Sequence, residues 1–222
     1  MKDWFKYLLA STVIFTLTNS TSFAQKQAKE VTLTYKISIE SSGKTQVGSN
    51  LDGASYTVYV KGTDSRCDMV SSLGSESNLY DSKEGKGYIL KEYSGQKLMI
   101  TLTRENWAQK NQYFQAMNFT IDNAEQTIAG FTCKKATART NDGKTVVVYF
   151  MPDVTTINKD YNNAFKQLPG IPVQYELESG KLKFTYTLTG ISYDPVPETK
   201  FDIPKSGFRV MTYDENQQLK KG

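Results

Sequence analysis

The 222-residue chain contains no histidine. That absence removes the Ser-His-Asp and Cys-His arrangements, the commonest metal ligand, and the one side chain whose ordinary pKa suits proton shuttling near neutrality. Cysteine is scarce: Cys67 and Cys133 are the two present. A zinc site would have to be assembled from them and carboxylates, a poor donor set for that ion. No cofactor is expected, and the chain does not read as an enzyme. An excess of charge is also missing. Setting aside Lys2, Lys6 and Asp3, 25 basic and 22 acidic side chains remain, a net charge of +3. So even a balance gives no electrostatic footprint for nucleic acid. The pairs Lys134 with Lys135 and Lys220 with Lys221 read as solvated faces.

Long apolar runs are lacking as well. The longest, from Tyr7 to Leu17 within MKDWFKYLLASTVIFTLTNSTSFAQ, is interrupted by Ser and Thr. It falls well short of the roughly 20 residues that span a bilayer. Preceded by Lys2 and Lys6 and followed by Ser22 and Ala24, it reads as a secretory signal peptide (1–24) cleaved after Ala24. The expected product is one periplasmic or secreted domain over 25–222, with no span across the membrane. No cysteine near the cleavage point offers a site for a lipid. Cys67 and Cys133 both lie in segments read as strands, and the exported compartment permits disulfides. One bridge, closing a loop worth on the order of 4 kcal/mol, and two separately buried thiols are both compatible with the spacing.

What the chain has in quantity is alternation. In EVTLTYKISIE, Val31, Leu33, Tyr35, Ile37 and Ile39 fall on one face, with Thr32, Thr34, Lys36 and Ser38 on the other. This is the period-2 signature of a half-buried strand. The pattern recurs over 55–62, 87–93, 96–103, 117–123, 144–150, 173–178 and 181–193. Short turn signals, SSGK, SGQ, NDGK and ESGK, punctuate the strands and suit antiparallel hairpins. The 14 tyrosines and abundant Thr and Val fit pleated surfaces. Two stretches have helical spacing instead. One is 104–114, with Thr103 as N-cap and Trp107 and Phe114 on one face. The other is 158–168, with Asn158 as cap and Tyr161, Ala164, Phe165 and Leu168 at i, i+3, i+4 and i+7. Leu168-Pro169-Gly170-Ile171 then fits a type II turn that ends the second helix, and Pro172 suits the first residue of a strand or an edge.

The order of IAGFTCKKATA (128–138), GKTVVVYF, Asp153, LPGIPVQYE and FDIPKSGF (201–208) resembles the GLPGLI-type proteins and sister families of secreted or periplasmic domains of Gram-negative bacteria. The Leu-Pro-Gly centre of that motif stands at 168–170. The resemblance implies a strongly curved antiparallel sheet, an open half-barrel similar to the periplasmic lipoprotein carriers, with two short helices covering its concave face. It implies no established activity.

Several strings imitate catalytic motifs. GKT at 43–45 and 143–145 lacks the glycine of a phosphate loop, where Ser38 and Ala138 stand instead. GKG at 85–87 lacks the third glycine of a dinucleotide fingerprint. Ser41 and Lys44 match S-x-x-K without its companions. These read as turns. Asp194 with Glu198 and Asp81 with Glu84 are the carboxylate pairs with glycosidase-like spacing, and they read as surface acids. A concave sheet lined by Tyr35, Ile37, Tyr56, Val58, Phe184 and Tyr186 would form an apolar trough for an acyl chain or apolar peptide; the same side chains would equally serve as core beneath the helices. The expectation is a non-catalytic binding protein for a hydrophobic ligand or lipidated partner, or else an interaction module of an envelope assembly.

Overall fold

In the computed structural model, described over residues 25–41, 51, 53–115, 117–179 and 182–220, hairpins follow one another from the first alternating segment. The signal peptide, the SSGK turn with its GKT and Lys44, Gly180 and Lys181 of the ESGK turn, and Lys221 lie outside these residues. The strands are β1 (Lys26–Ala28), β2 (Glu30–Ser41), β3 (Ser55–Lys61), β4 (Asp64–Ser71), β5 (Gly74–Asp81), β6 (Lys86–Tyr93), β7 (Gln96–Leu102), β8 (Thr120–Ile128), β9 (Phe131–Arg139), β10 (Thr145–Met151), β11 (Val154–Thr156), β12 (Ile171–Ser179), β13 (Leu182–Ser192) and β14 (Arg209–Thr212). Twelve form one sheet in the order β14-β7-β6-β5-β4-β3-β2-β13-β12-β10-β9-β8. Every pairing in it is antiparallel except β14 with β7. The sheet is curved but not closed into a barrel. β1 and β11 form a separate parallel pair.

Short connections enforce this order. Ser94 and Gly95 both take positive φ, 50° and 77°, as do Ala129 and Gly130, 51° and 85°. Such two-residue turns match the twist of the strands they join. The GKT at 143–145 closes the β9–β10 hairpin, and the GKG at 85–87 leads from a turn into β6. At one edge, β8 is bulged between Asp122 and Glu125 and exposed along most of its length. A bulged, charged edge discourages pairing with another chain.

The inner face holds two apolar clusters. The larger is built on Val31, Leu33, Tyr35, Val58, Val148, Phe150, Ile171, Val173, Tyr175 and Leu188. The smaller gathers Tyr80, Ile89, Ile100, Leu102, Trp107, Met211 and Tyr213. The outer face of β5–β7 carries Leu79, Leu90 and Met99, covered by Ile203 and Phe208 of the FDIPKSGF segment. That segment is tied down where Arg66 donates to the Lys200 carbonyl (2.8 Å) and Lys61 to the Val196 carbonyl (2.9 Å).

Helix α1 (Arg104–Lys110) forms with the predicted cap but stops at Lys110, short of the 104–114 expected from the spacing. Thr103 accepts from the Asn106 amide while the Asn106 side chain accepts from the Thr103 amide, a reciprocal cap. Trp107 then stacks on Tyr80, with centroids 4.3 Å apart. Gly87 makes room for it: a Cβ there would stand 3.3 Å from the Trp107 ring. The chain continues through a single 3-10 turn, Gln112–Phe114.

The helix expected over 158–168 is absent. The structure has only a 3-10 turn, Asn163–Phe165. Tyr161, Ala164, Phe165 and Leu168 are nevertheless all buried, so the spacing identified the buried side chains but not the backbone. The Asn158 side chain accepts from the Asp160 amide, which closes a local turn in place of a cap on a longer helix. A second helix does exist elsewhere, α2 (Tyr213–Leu219), capped reciprocally by Thr212 and Glu215.

The Leu-Pro-Gly turn also departs from expectation. Gly170 does not adopt the positive φ that the third position of a type II turn requires. It is needed for close approach instead, since a Cβ would meet the Met151 carbonyl oxygen at 2.3 Å. Pro172 is the second residue of a central strand, not of an edge, and lies where the β10 register shifts between Tyr149 and Phe150. Its pairing with β13 has not yet begun, because that ladder starts at Gln174. A missing N–H therefore costs nothing there.

Candidate functional site

Directly opposed residues of antiparallel strands share a face, so the register gives the inner face as rows. One row runs Leu188, Tyr35, Tyr56, Met69, Glu76, Lys91, Leu98 across seven strands. The next runs Ile191, Leu33, Val58, Cys67, Asn78, Ile89, Ile100. On the other side, Val148, Tyr175, Tyr186 and Ile37 face one another in sequence, as do Leu177, Phe184 and Ile39.

All six residues read from the sequence as trough lining therefore lie on one face and close together. They differ in depth. Tyr35, Ile37 and Val58 are at most 1% exposed, whereas Tyr56, Phe184 and Tyr186 remain half-buried. Tyr175, outside that set, is the hub of the aromatic packing. It stacks on Tyr186 at 4.7 Å, meets Phe165 edge-on at 4.6 Å and Tyr35 at 6.0 Å. Tyr56 bridges Tyr35 (5.9 Å) and Tyr186 (5.5 Å). Around these rings Ile39, Met69 and Leu177 are also half-buried. The result is a buried aromatic floor bordered by a half-open apolar band.

The phenol of Tyr35 donates to the Pro172 carbonyl at 2.8 Å. It thereby partners an acceptor that the neighbouring ladder does not reach. Tyr35→Phe should cost about 1–3 kcal/mol, the range for leaving one buried acceptor unpaired, read as a lower midpoint in urea denaturation with no change in circular dichroism. Burial raises the pKa of Tyr35 and Tyr175 well above the ordinary phenol value and pushes Tyr186 up to about 12. The floor is neutral throughout the physiological range.

Cys67 and Cys133 are separate free thiols, both buried. Cys67 donates to the Tyr161 carbonyl (3.4 Å) and Cys133 to the Phe131 carbonyl (3.4 Å). Burial pushes the Cys67 thiol up to about 11, so it is no nucleophile at neutral pH.

Between the two inner clusters the rows become polar. Lys91 reaches Glu76 at 3.0 Å, and the Asn78 amide donates to the same carboxylate at 3.1 Å. Burial would raise the Glu76 carboxyl, but Lys91 and Asn78 hold it below the ordinary carboxylate value. Lys110, at the end of α1, places its ammonium 5.4 Å from the centre of the Trp107 ring. Desolvation lowers its pKa, opposed by Glu76 and Cys67. This charged seam gave no signal in the sequence, because its members are scattered over β5, β6 and α1.

The segment that covers the inner face leaves openings on both sides of Phe114. A cleft of about 340 Å³ lies beside Trp107, Phe114 and Met117, opposite Asp160, Ala164 and Lys166. A hollow of about 100 Å³ on the other side is lined by Phe114, Val146 and Leu177 among others. Among the described residues no three His, Cys, Asp or Glu side chains gather as a metal site would require. The carboxylates with glycosidase-like spacing organise loops: Asp81 accepts from the Lys83 and Glu84 amides, and Asp194 from Ser192. Lys134 and Lys135 are half-buried on β9, not fully solvated.

No family model matches the chain, and no curated protein matches its sequence. Neither comparison places the chain in the GLPGLI-type group. Solved structures share the fold. An uncharacterized conserved protein from Thermus thermophilus is 11% identical, with a TM-score of 0.51 over 83% of this chain and 91% of that one. PNGF-II is 12% identical, with a TM-score of 0.50 over 86% of this chain and 33% of its own. The chain therefore spans about a third of the length of PNGF-II. The Mycobacterium tuberculosis lipoprotein LppX is 9% identical over 75% of this chain and 88% of that one, with a TM-score of 0.40. These likenesses show the fold alone. Among the described residues no helix is long and apolar enough to cross a membrane.

Proposed function

We propose that the chain is an exported, non-catalytic binding protein that holds a hydrophobic ligand or the acyl part of a lipidated partner on the inner face of its sheet. The observation that carries this reading is the band of half-buried apolar side chains, Ile39, Tyr56, Met69, Leu177, Phe184 and Tyr186, on a floor of fully buried Tyr35, Ile37 and Val58. Contiguous apolar surface left accessible on a folded chain marks a place where something binds. The hollow beside Phe114 reaches this band at Leu177. The rival reading, an envelope scaffold joined through sheet edges, draws less support, because the β8 edge is bulged and charged.

Organic extraction of the purified native protein followed by mass spectrometry tests the proposal, together with titration of the neutral apolar fluorophore N-phenyl-1-naphthylamine. A co-purifying lipid, or saturable fluorophore binding that Phe184→Glu abolishes without loss of fold, is the expected result. A protein that yields no lipid and does not bind the fluorophore overturns it.

A further inference from the structure

The inner face changes chemistry along one row. Tyr35, Tyr56 and Met69 are followed, on adjacent strands, by Glu76 and Lys91. An apolar band thus abuts charged side chains within two strand spacings, about 10 Å. Within the seam, Lys91 is neutralised by Glu76 at 3.0 Å. Lys110 is not: among the described residues no carboxylate lies within the 4.0 Å of an ion pair with it. Lys110 stands over the Trp107 ring, which stacks on Tyr80, and Tyr80 shares the inner face of β5 with Asn78 and Glu76, so the ammonium lies on the side of the sheet that carries the seam. Its field lowers the pKa of Glu76 and Cys67 in keeping with that position. Its side chain is still exposed to solvent. The seam therefore offers uncompensated positive charge next to apolar surface, Lys110 foremost, the complement of a long apolar tail ending in a negative charge.

We infer that the preferred ligand of the apolar band is an anionic amphiphile, whose head is received by Lys110 beside the Glu76–Lys91 pair. The inference rests on the binding function proposed above and specifies its ligand class. A neutral lipid would leave the Lys110 ammonium to solvent and the Trp107 ring, and a cationic head would meet repulsion from Lys110. Glu76 sets the position of the site without neutralising Lys110, since its carboxylate is already held by Lys91 and Asn78.

Displacement of N-phenyl-1-naphthylamine by oleate and by oleyl alcohol, both below their aggregation thresholds, tests it. Oleate should displace the fluorophore from the unmodified protein at a concentration about tenfold lower than oleyl alcohol, the gain of one modest charge-assisted contact. In Lys110→Met the gap should close while the affinity for the neutral fluorophore stays the same. Lys110 is exposed at a helix end, so the variant should fold, which circular dichroism verifies. Equal displacement by the two competitors in the unmodified protein, or a gap that survives Lys110→Met, overturns the inference and leaves the binding function standing. Failure of the unmodified protein to bind the fluorophore at all overturns the binding function instead.

Discussion

Gly170→Ala is expected to destabilise the protein by about 3 kcal/mol or more, a large effect for one added methyl group. The reason is what that methyl would strike. At Gly170 a Cβ would sit 2.3 Å from the Met151 carbonyl oxygen and 2.6 Å from the Phe150 ring. A flexible side chain could swing aside, but the carbonyl belongs to the end of β10, paired there with β12, and Phe150 is a fully buried member of the core. Relief requires parting two central strands, so the cost lies at or beyond the upper end of the usual overpacking range. Gly190→Ala provides the control. It too is a glycine at a strand irregularity, yet a Cβ there would meet only Thr34 at 3.9 Å, an ordinary contact, with no positive φ to oppose it. That variant should fall within about 0.5 kcal/mol of the unmodified protein. Urea denaturation of the pair decides the matter. Similar midpoints for both would mean that the Leu-Pro-Gly segment is not a tight joint.

Tyr175→Ala should cost about 3–5 kcal/mol, the range for removing a large aromatic from a packed core. Tyr175 is 3% exposed and contacts three other rings. It joins the sheet, through Tyr35 and Tyr186, to the Asn163–Phe165 turn lying over it. Deleting it would leave a void that cannot collapse without moving β12, because its neighbours are held by their own strands. The ring contact with Phe165 should be lost with it, so the 158–168 segment should become more open. Protease cleavage within that segment, faster than in the unmodified protein under conditions where both remain folded, is the corresponding local readout. A midpoint shift worth less than about 1 kcal/mol would show that the aromatic cluster is not a keystone of the larger core.

Half of the strands were legible with their bounds because alternation is a local property, and a strand with one wet and one dry face must alternate. β2, β3, β6, β7, β10, β12 and β13 follow that rule and lie where the pattern puts them. The strand read over 117–123 is displaced to Thr120–Ile128, where an exposed edge exerts little apolar selection. β5, GSESNLYD, has no counterpart in the reading, because its inward positions include Glu76 and Asn78. The polar seam that forms the most specific part of the proposed site is therefore what concealed the strand carrying it. Of the six trough residues, the sequence placed all on one face, yet gave no means of ranking them by depth. Tyr175, the ring that makes the floor solid, has the same alternation as its neighbours and was not distinguishable from them.

By itself the chain determined an antiparallel, mainly β architecture and its turn chemistry, since periodicity, positive-φ glycines and capping residues act over a few positions. It also determined which side chains of 158–168 would be buried. Tertiary structure alone decided that this segment winds as successive turns instead of a helix, that Gly170 serves proximity instead of φ, and that the two thiols stay apart. It alone decided that Glu76 and Lys91 meet across separate strands and that Lys110 of α1 stands over Trp107. Each of these depends on atoms brought together from distant parts of the sequence, and such meetings are set by strand order and register.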